Sequence, residues 1–314
     1  MISVLVTVLP VFLVLATGYA SVRLGWLNAE ISTNLNQFAI RLAIPMLLFR
    51  AMYQLDFGSA FHLPMLFGFY FGALAVFLIT LLLARVIWKR TPGEAVAIGF
   101  CAMFSNSLLL GIPIIARAYG ETSLTPAFGI VSLHAPFLYA VGMLVMELSR
   151  REGRPLPQAL RDAARSILAN PLMIGIVLGA ALNFLGRPLP EFALAAINMF
   201  ADAAIPVALA GMGAAMTRYS LRSDVSLSLL VCAMSLLVHP ALALLVTHCG
   251  LGLPVNYVRA AVIMAAMPPG MNGYVFALLY ERAVAFSASA ILIATTASIV
   301  TISLWLLLLE KLLG

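Results

Sequence analysis

Two apolar stretches of this chain are interrupted by prolines and glycines where continuous helices are otherwise expected. The first runs from Ser105 to Pro113 and reads Ser-Asn-Ser-Leu-Leu-Leu-Gly-Ile-Pro, and the second runs from Met267 to Asn272 and reads Met-Pro-Pro-Gly-Met-Asn. Proline removes a backbone N–H and clashes with the carbonyl four residues before it, so both helices are expected to break. Within a bilayer, such irregular backbone is tolerated only where protein buries it or where it lines a watery cavity.

The composition places the chain in a membrane. Charged residues form 10% of it, against roughly 25% in soluble domains, and 63% of its residues are apolar. A helix needs about 20 apolar residues to cross the hydrocarbon core. The sequence predicts ten such spans, at residues 2–24, 32–54, 62–89, 94–119, 123–149, 168–186, 190–216, 223–248, 255–281 and 284–311. We therefore expect an all-α, multi-pass membrane protein.

Lysine and arginine residues set the expected orientation, because cytoplasmic turns carry an excess of them. With the N-terminus outside, twelve basic residues fall in the cytoplasmic turns and five on the outer side. Both termini are therefore predicted to be extracytoplasmic, in a cell (inner) membrane. No nucleic-acid partner is expected, because the basic residues behind the net charge of +6 are scattered through short turns.

The two halves of the chain resemble each other. Arg41–Leu48 and Asp202–Leu209 share Ala-Ile-Pro and a final leucine, and the interrupted stretches fall in the fourth and ninth predicted spans. Five spans precede the basic central segment and five follow it, so the halves must lie in the membrane with opposite topology. The prediction is a 5+5 inverted repeat made of residues 1–149, a cytoplasmic interfacial linker at 150–167, and residues 168–314.

Neutral amides flank both interruptions. Asn106 and Asn272 offer donors and an acceptor that suit a carboxylate without burying a permanent charge. The N-termini of half-helices also favour an anion. The alternative is that each asparagine only caps its interrupted helix. The predicted substrate-binding residues are Asn106, Ser107, Gly111, Pro113, Pro268, Pro269, Gly270, Asn272, Arg41 and His134.

Arg41, Asp202 and His134 are candidates for binding or for coupling. A charge at a helix centre costs about 2.5–3.5 kcal/mol on insertion scales, so Arg41 and Asp202 each need a partner. Both stand four residues before a proline, at equivalent places of the repeat. One interpretation is an ion pair between them, and another is that Arg41 meets a substrate carboxylate while Asp202 carries a proton. A third is that both charges lie nearer the membrane interface than the predicted spans place them. His134 is a second candidate for proton coupling, or else makes a fixed interhelical hydrogen bond.

The chain resembles the auxin efflux carrier family. The resemblance rests on the ten spans, the inverted repeat, the Asn-x-x-x-x-Gly-x-Pro run from Asn106 to Pro113, and the proline-rich run that ends in Asn272-Gly-Tyr-Val-Phe-Ala. It implies broken helices four and nine that cross at the membrane centre. It also implies a scaffold from spans 1, 2, 6 and 7, a mobile transport domain from spans 3–5 and 8–10, a homodimer formed through the scaffold, and a small organic anion such as auxin, malate or malonate as cargo.

The expected function is secondary transport of a small organic anion by alternating access. A sodium-coupled symporter of the bile-acid type is the alternative, although the crossover segments contain no Asp or Glu, which argues against strong sodium coupling. Uniport and proton coupling both stay open. An intramembrane enzyme would need a nucleophile with its base, or metal ligands at defined spacing, and neither pattern is visible. No cofactor or metal is expected, and a receptor or sensor is disfavoured because no signalling domain is recognisable.

Overall fold

The computed structural model describes residues 2–150, 171–186, 188–218 and 224–314, with Arg161, Arg165 and Ala169 between them. Within these ranges the regular elements are helices, and β-type pairing is limited to one isolated bridge. This confirms an all-α chain. The predicted linker at 150–167 lies almost wholly outside the described residues.

The α-helices carry the following bounds in chain order: α1 (Ile2–Arg23), α2 (Ala29–Phe38), α3 (Ile44–Tyr53), α4 (Phe57–Ala60), α5 (Leu63–Val86), α6 (Pro92–Met103), α7 (Ile112–Tyr119), α8 (Leu124–Arg150), α9 (Pro171–Leu185), α10 (Glu191–Met216), α11 (Val225–Ala233), α12 (His239–Leu244), α13 (Val255–Ala265), α14 (Met271–Leu279) and α15 (Val284–Leu313). Short π-helical segments occur at Ala39–Ala43, Ser107–Gly111, Met234–Val238 and Leu245–Gly250, and a 3-10 turn at Glu121–Ser123.

Several of these helices are suited to a membrane by length and composition. Those long and apolar enough to cross one are Leu63–Val86, Glu121–Met146, Glu191–Met216, Val225–Gly250 and Val284–Leu313. Shorter apolar helices lie at Leu9–Arg23, Pro92–Met103, Ser107–Tyr119, Pro171–Leu185 and Val255–Ala265. A membrane protein is thereby supported, while the arrangement as ten spans stays a prediction.

Local sequence explains where several helices begin. At the start of α6, the Thr91 hydroxyl accepts the Glu94 N–H at 3.4 Å while a Glu94 carboxylate oxygen accepts the Thr91 N–H at 3.0 Å. This reciprocal pair satisfies two backbone donors that a helix start leaves open. Before α5, His62 Nδ1 accepts the Met65 N–H at 3.3 Å, and Asn28 accepts the Ile31 N–H at 2.8 Å before α2.

The chain divides into two compact units, each built from both halves of the sequence. Unit one holds Phe61–Ala163 and Tyr219–Gly314 with the beginning of α1, and unit two holds Pro10–Ala60 and Ala164–Arg218. In unit one, the rings of Phe100 on α6 and Phe276 on α14 stack with centroids 3.8 Å apart and are fully buried. Stacked aromatic rings contribute about 0.5–1.5 kcal/mol beyond their buried area.

Unit two is held together by close backbone approach at small residues. Gly175, Gly179 and Asn183 follow each other at intervals of four on α9, which places them on one face. A Cβ on Gly175 would lie 2.3 Å from the Pro45 carbonyl oxygen, and a Cβ on Gly179 would lie 2.3 Å from the Phe49 carbonyl oxygen. The Asn183 side-chain N–H group then donates to the carbonyls of Met52, Tyr53 and Leu55, at 3.1, 2.7 and 3.0 Å. Small residues joined by a polar contact are the packing mode that apolar helices use where lipid removes the hydrophobic drive.

We expect Gly179→Ala to lower the free energy of unfolding by about 1–3 kcal/mol, because the added methyl group must displace the α3 backbone. Thermal unfolding of the purified protein in detergent measures the change. Gly250→Ala is the matched control, since its Cβ would meet only the Leu245 carbonyl oxygen at 3.5 Å. Equal stability of the two variants would contradict the close contact between α9 and α3.

Candidate functional site

The two interrupted stretches pair with each other through their backbones. After α6 ends at Met103 and α13 ends at Ala265, Ser105 and Pro269 form an antiparallel bridge. The Asn106 N–H donates to the Pro268 carbonyl at 2.8 Å, and the Gly270 N–H donates to the Phe104 carbonyl at 2.8 Å. The two breaks are therefore in direct contact.

The position of Pro269 in this bridge explains why a proline fits there. Ser105 and Pro269 face each other as a pair whose own N–H and C=O groups point away from the partner strand, because both hydrogen bonds come from the flanking residues. A proline at that place removes no hydrogen bond from the bridge. Both strands can thus leave their helices without burying an unpaired donor between them.

Further hydrogen bonds satisfy backbone groups next to the two breaks. Proline at position 268 prevents the usual helical bond to the Met264 carbonyl, and the Ser107 hydroxyl donates to that carbonyl at 3.3 Å instead. The Ser107 and Ser105 hydroxyl oxygens lie 2.7 Å apart, and both residues are buried. The Asn106 carbonyl accepts the N–H groups of Leu110 at 3.1 Å and Gly111 at 3.3 Å, which begins the π-helical segment before α7.

Glycines allow the two stretches to approach closely. A Cβ on Gly270 would lie 3.4 Å from the Asn106 Cα, and a Cβ on Gly111 would lie 2.5 Å from the Met264 Sδ. Pro113 stands in the first turn of α7, where its missing N–H is not needed by the helix. The contact between the two interrupted stretches, at residues 105–113 and 267–272, therefore includes several small residues and prolines. This contact is called the crossing below.

Asn106 and Asn272 supply the amides of this region. Asn106 is buried, with 6% of its surface exposed, whereas Asn272 is half-buried in the first turn of α14. The Tyr139 hydroxyl on α8 donates to the Asn272 Oδ1 at 3.2 Å. Since this contact engages the acceptor end of the amide, it leaves the Nδ2 end as a hydrogen-bond donor.

His134 joins the crossing from α8. Its Nε2 lies 3.0 Å from the Ser105 carbonyl oxygen, and only 5% of the residue is exposed. The rings of Phe104, Phe69 and Tyr70 surround the imidazole, with centroids 4.6, 5.6 and 6.5 Å away. His134 thus directly contacts Ser105, the residue before Asn106. The segment Phe104–Asn106 that contains Ser105 is called the bridge strand below.

The predicted site residues fall into two groups. Unit one contains all of the first group, and the contacts above bring together its members other than Pro113, which only follows Gly111 in the first turn of α7: Asn106, Ser107, Gly111, Pro113, Pro268, Pro269, Gly270, Asn272 and His134. Arg41 and Asp202 belong to unit two, and both are exposed. Among the residues that the structure describes, no three His, Cys, Asp or Glu side chains lie close enough together to hold a metal ion.

The predicted ion pair between Arg41 and Asp202 is wrong, because Asp202 pairs with Arg50. The Arg50 Nη1 lies 2.7 Å from the Asp202 Oδ1, with 25% and 70% of the two side chains exposed. Antiparallel packing explains the difference. The Asn36 side chain donates to the Gly211 carbonyl on α10 at 2.9 Å. Since Arg50 lies opposite Asp202, Arg41 lies opposite a part of α10 between Asp202 and Gly211. Equivalent positions in two similar sequence segments therefore did not predict that the two side chains are in contact.

Sequence reasoning missed Arg50 and Tyr139. Arg50 stands near the end of its span, where the charge pattern indicated an outer-side residue, and nothing in the pattern named a partner. Tyr139 follows His134 by five residues on α8, a spacing that does not place two side chains on one helical face. Its contact with Asn272 joins residues 133 positions apart in the chain, and local sequence patterns do not predict such a contact.

With this geometry in place, comparison with known proteins identifies the family. The family described as membrane transport protein matches residues 3–306. The chain belongs to this family, which is that of the auxin efflux carriers. The resemblance found in the sequence is confirmed.

Relatives match over nearly the whole chain. The "Putative malonate transporter" of Rhizobium meliloti is 28% identical over 301 residues, covering 94% of this chain and 92% of the relative. "Auxin efflux carrier component 8" of Arabidopsis thaliana is 23% identical over 329 residues, covering 87% and 88%. An "Uncharacterized transporter" of Methanothermobacter thermautotrophicus is 27% identical over 309 residues, covering 95% and 96%. All three are named as transporters or carriers.

We expect Arg50→Ala and Asp202→Ala to be coupled by about 0.5–1 kcal/mol in the free energy of unfolding, the range for a partly exposed ion pair. A double-mutant cycle, measured by denaturant unfolding in detergent, gives this coupling energy. The matched cycle uses Arg41→Ala with Asp202→Ala and should be additive. Coupling in the Arg41 cycle but not in the Arg50 cycle would refute the observed pairing.

Proposed function

We propose that this chain is a secondary transporter that moves a small organic anion across a cell membrane by alternating access, with its binding site at the crossing of the two interrupted stretches. The observation that carries this proposal is the backbone bridge between Ser105 and Pro269. Irregular backbone at membrane depth, placed in matching spans of two halves, is typical of transporter binding sites.

The chemistry of the crossing suits an anion. Asn106 and Asn272 provide neutral donors, and α14 begins immediately after Gly270, so its N-terminal N–H groups add partial positive charge. Among the described residues, the buried polar side chains are Ser, Thr, Asn and His, with no buried Asp or Glu to repel a carboxylate. The names of the Rhizobium and Arabidopsis relatives also favour a carboxylate as cargo, such as malonate, malate or an auxin-like acid.

The two compact units support a moving-domain mechanism. Unit two contains the helices of predicted spans 1, 2, 6 and 7, and unit one contains those of spans 3–5 and 8–10. We assign unit two as the scaffold and unit one as the transport domain of a 5+5 inverted repeat with ten spans. Close packing at Gly175 and Gly179 suits a rigid scaffold, and a homodimer formed through this unit completes the proposed assembly.

Counterflow of labelled organic acids into proteoliposomes tests the function. We expect labelled malonate, malate or indole acetate to accumulate against an internal pool of the same acid. Asn106→Ala and Asn272→Ala should each weaken binding by about 1–3 kcal/mol, because a polar group of the anion loses its partner. Asn28→Ala makes the same substitution at the helix cap of α2 and should leave binding unchanged. Failure of every organic acid to exchange would contradict the proposal.

Thiol labelling tests the proposed topology. In a cysteine-free background, cysteines at Ser3 and Gly314 should react with an impermeant thiol reagent added outside intact cells, and a cysteine at Gln158 should react only after the cells are opened. The reason is the twelve-to-five excess of basic residues on the side assigned to the cytoplasm. Labelling of the Gln158 position alone in intact cells would invert the topology.

A further inference from the structure

We infer that His134 takes up one proton when the anion binds, which makes this protein a proton-coupled anion carrier. The inference rests on the proposed function and adds the coupling ion and its acceptor atom. It starts from the hydrogen bond between His134 Nε2 and the Ser105 carbonyl, at 3.0 Å.

That hydrogen bond fixes the tautomer of a neutral His134. A carbonyl oxygen only accepts hydrogen bonds, so the Nε2 must carry the hydrogen. In a neutral imidazole the other nitrogen, Nδ1, then holds a lone pair and can only accept. The Nδ1 of His134 is buried and finds no hydrogen-bond partner among the described residues. His134 therefore has an unprotonated Nδ1 without a hydrogen-bond partner, while its Nε2 contacts the residue that precedes Asn106.

The surroundings of His134 supply no permanent countercharge. The described contacts of His134 are with Phe69 and Tyr70 on α5 and with Phe104 and Ser105. The His239 ring on α12 also contacts the Phe69 ring, with centroids 5.0 Å apart. The Tyr70 hydroxyl is already engaged as a donor to the Ile130 carbonyl at 2.8 Å. No buried residue in the described part of the chain is Asp, Glu, Lys or Arg.

These surroundings couple the proton to the anion. Burying an imidazolium without a partner is unfavourable, so the empty site favours the neutral ring. A carboxylate that reaches the crossing provides the missing opposite charge, and an imidazolium in turn strengthens the binding of that carboxylate. Because binding free energies are reciprocal, the anion raises proton affinity by the same factor by which the proton raises anion affinity. Nearby aromatic rings add a favourable cation–π contribution to the charged ring.

His239 offers a matched control within the same unit. Its Nε2 lies 3.2 Å from the Phe69 carbonyl oxygen, it is fully buried, and its Nδ1 also finds no partner among the described residues. The difference is its partner, since the Phe69 carbonyl belongs to α5 and not to the bridge strand. Glutamine at either position can keep the donor to the carbonyl but does not titrate.

Titration calorimetry with malonate as the probe measures the proton directly. In buffers of different ionisation enthalpy, the wild-type protein should take up about one proton per malonate, and the apparent Kd should rise up to about tenfold per pH unit between about pH 7 and pH 8.5. His134→Gln should bind malonate more weakly at pH 7, with no proton uptake and no pH dependence of Kd. His239→Gln should retain both.

Each outcome decides the inference. Malonate binding to wild type without proton uptake would overturn proton coupling while leaving the transport proposal intact. Proton uptake that survives His134→Gln, or is lost only in His239→Gln, would overturn the assignment of the acceptor. Absence of malonate binding to every variant and of exchange for every organic acid would refute the proposed function, and this inference with it. Proton uptake by the wild-type protein is measured without any substitution, so the test of proton coupling does not depend on whether the variants fold.

Discussion

The structure depends on the two backbone hydrogen bonds that join Asn106 to Pro268 and Gly270 to Phe104. A helix broken inside an apolar environment leaves N–H and C=O groups that lipid cannot satisfy, at a cost of several kcal/mol for each group. When the two breaks pair, an N–H group of each donates to a carbonyl group of the other. A single interrupted helix would need water or side chains for all of its freed groups, so the second interruption stabilises the first.

Few charges are needed once the breaks are paired. Ser107 satisfies the Met264 carbonyl, and the Asn106 carbonyl accepts the next turn of backbone, so neutral groups complete the crossing. In the proposed function, an anion would meet dipoles and amides whose own desolvation is already compensated. The absence of a fixed cation among the contacts described here would favour its release, because such a cation would hold a carboxylate strongly.

The sequence predicts the parts of this site that follow from local chemistry. Prolines and glycines forced the breaks at residues 105–113 and 267–272, and asparagines beside them marked the polar groups, because each inference concerns neighbours along the chain. Partners across helices were not predictable in the same way. Arg50 rather than Arg41 contacts Asp202 because the register between α3 and α10 is set by packing, and the hydrogen bond from Tyr139 to Asn272 likewise joins helices that are distant in the chain.

The composition of the two units from both halves of the chain explains how the two interrupted stretches can meet. Each unit contains segments from both the first and the second half of the chain, so neither half alone provides a complete unit. In unit one this brings the interrupted stretch of one half beside that of the other, where their strands run antiparallel. The proposed inverted repeat accounts for this direction, because two copies with opposite topology present their chains in opposite directions, and opposed extended strands are the geometry in which an antiparallel bridge forms. The antiparallel bridge between Ser105 and Pro269 is thus the pairing that the proposed inverted repeat predicts.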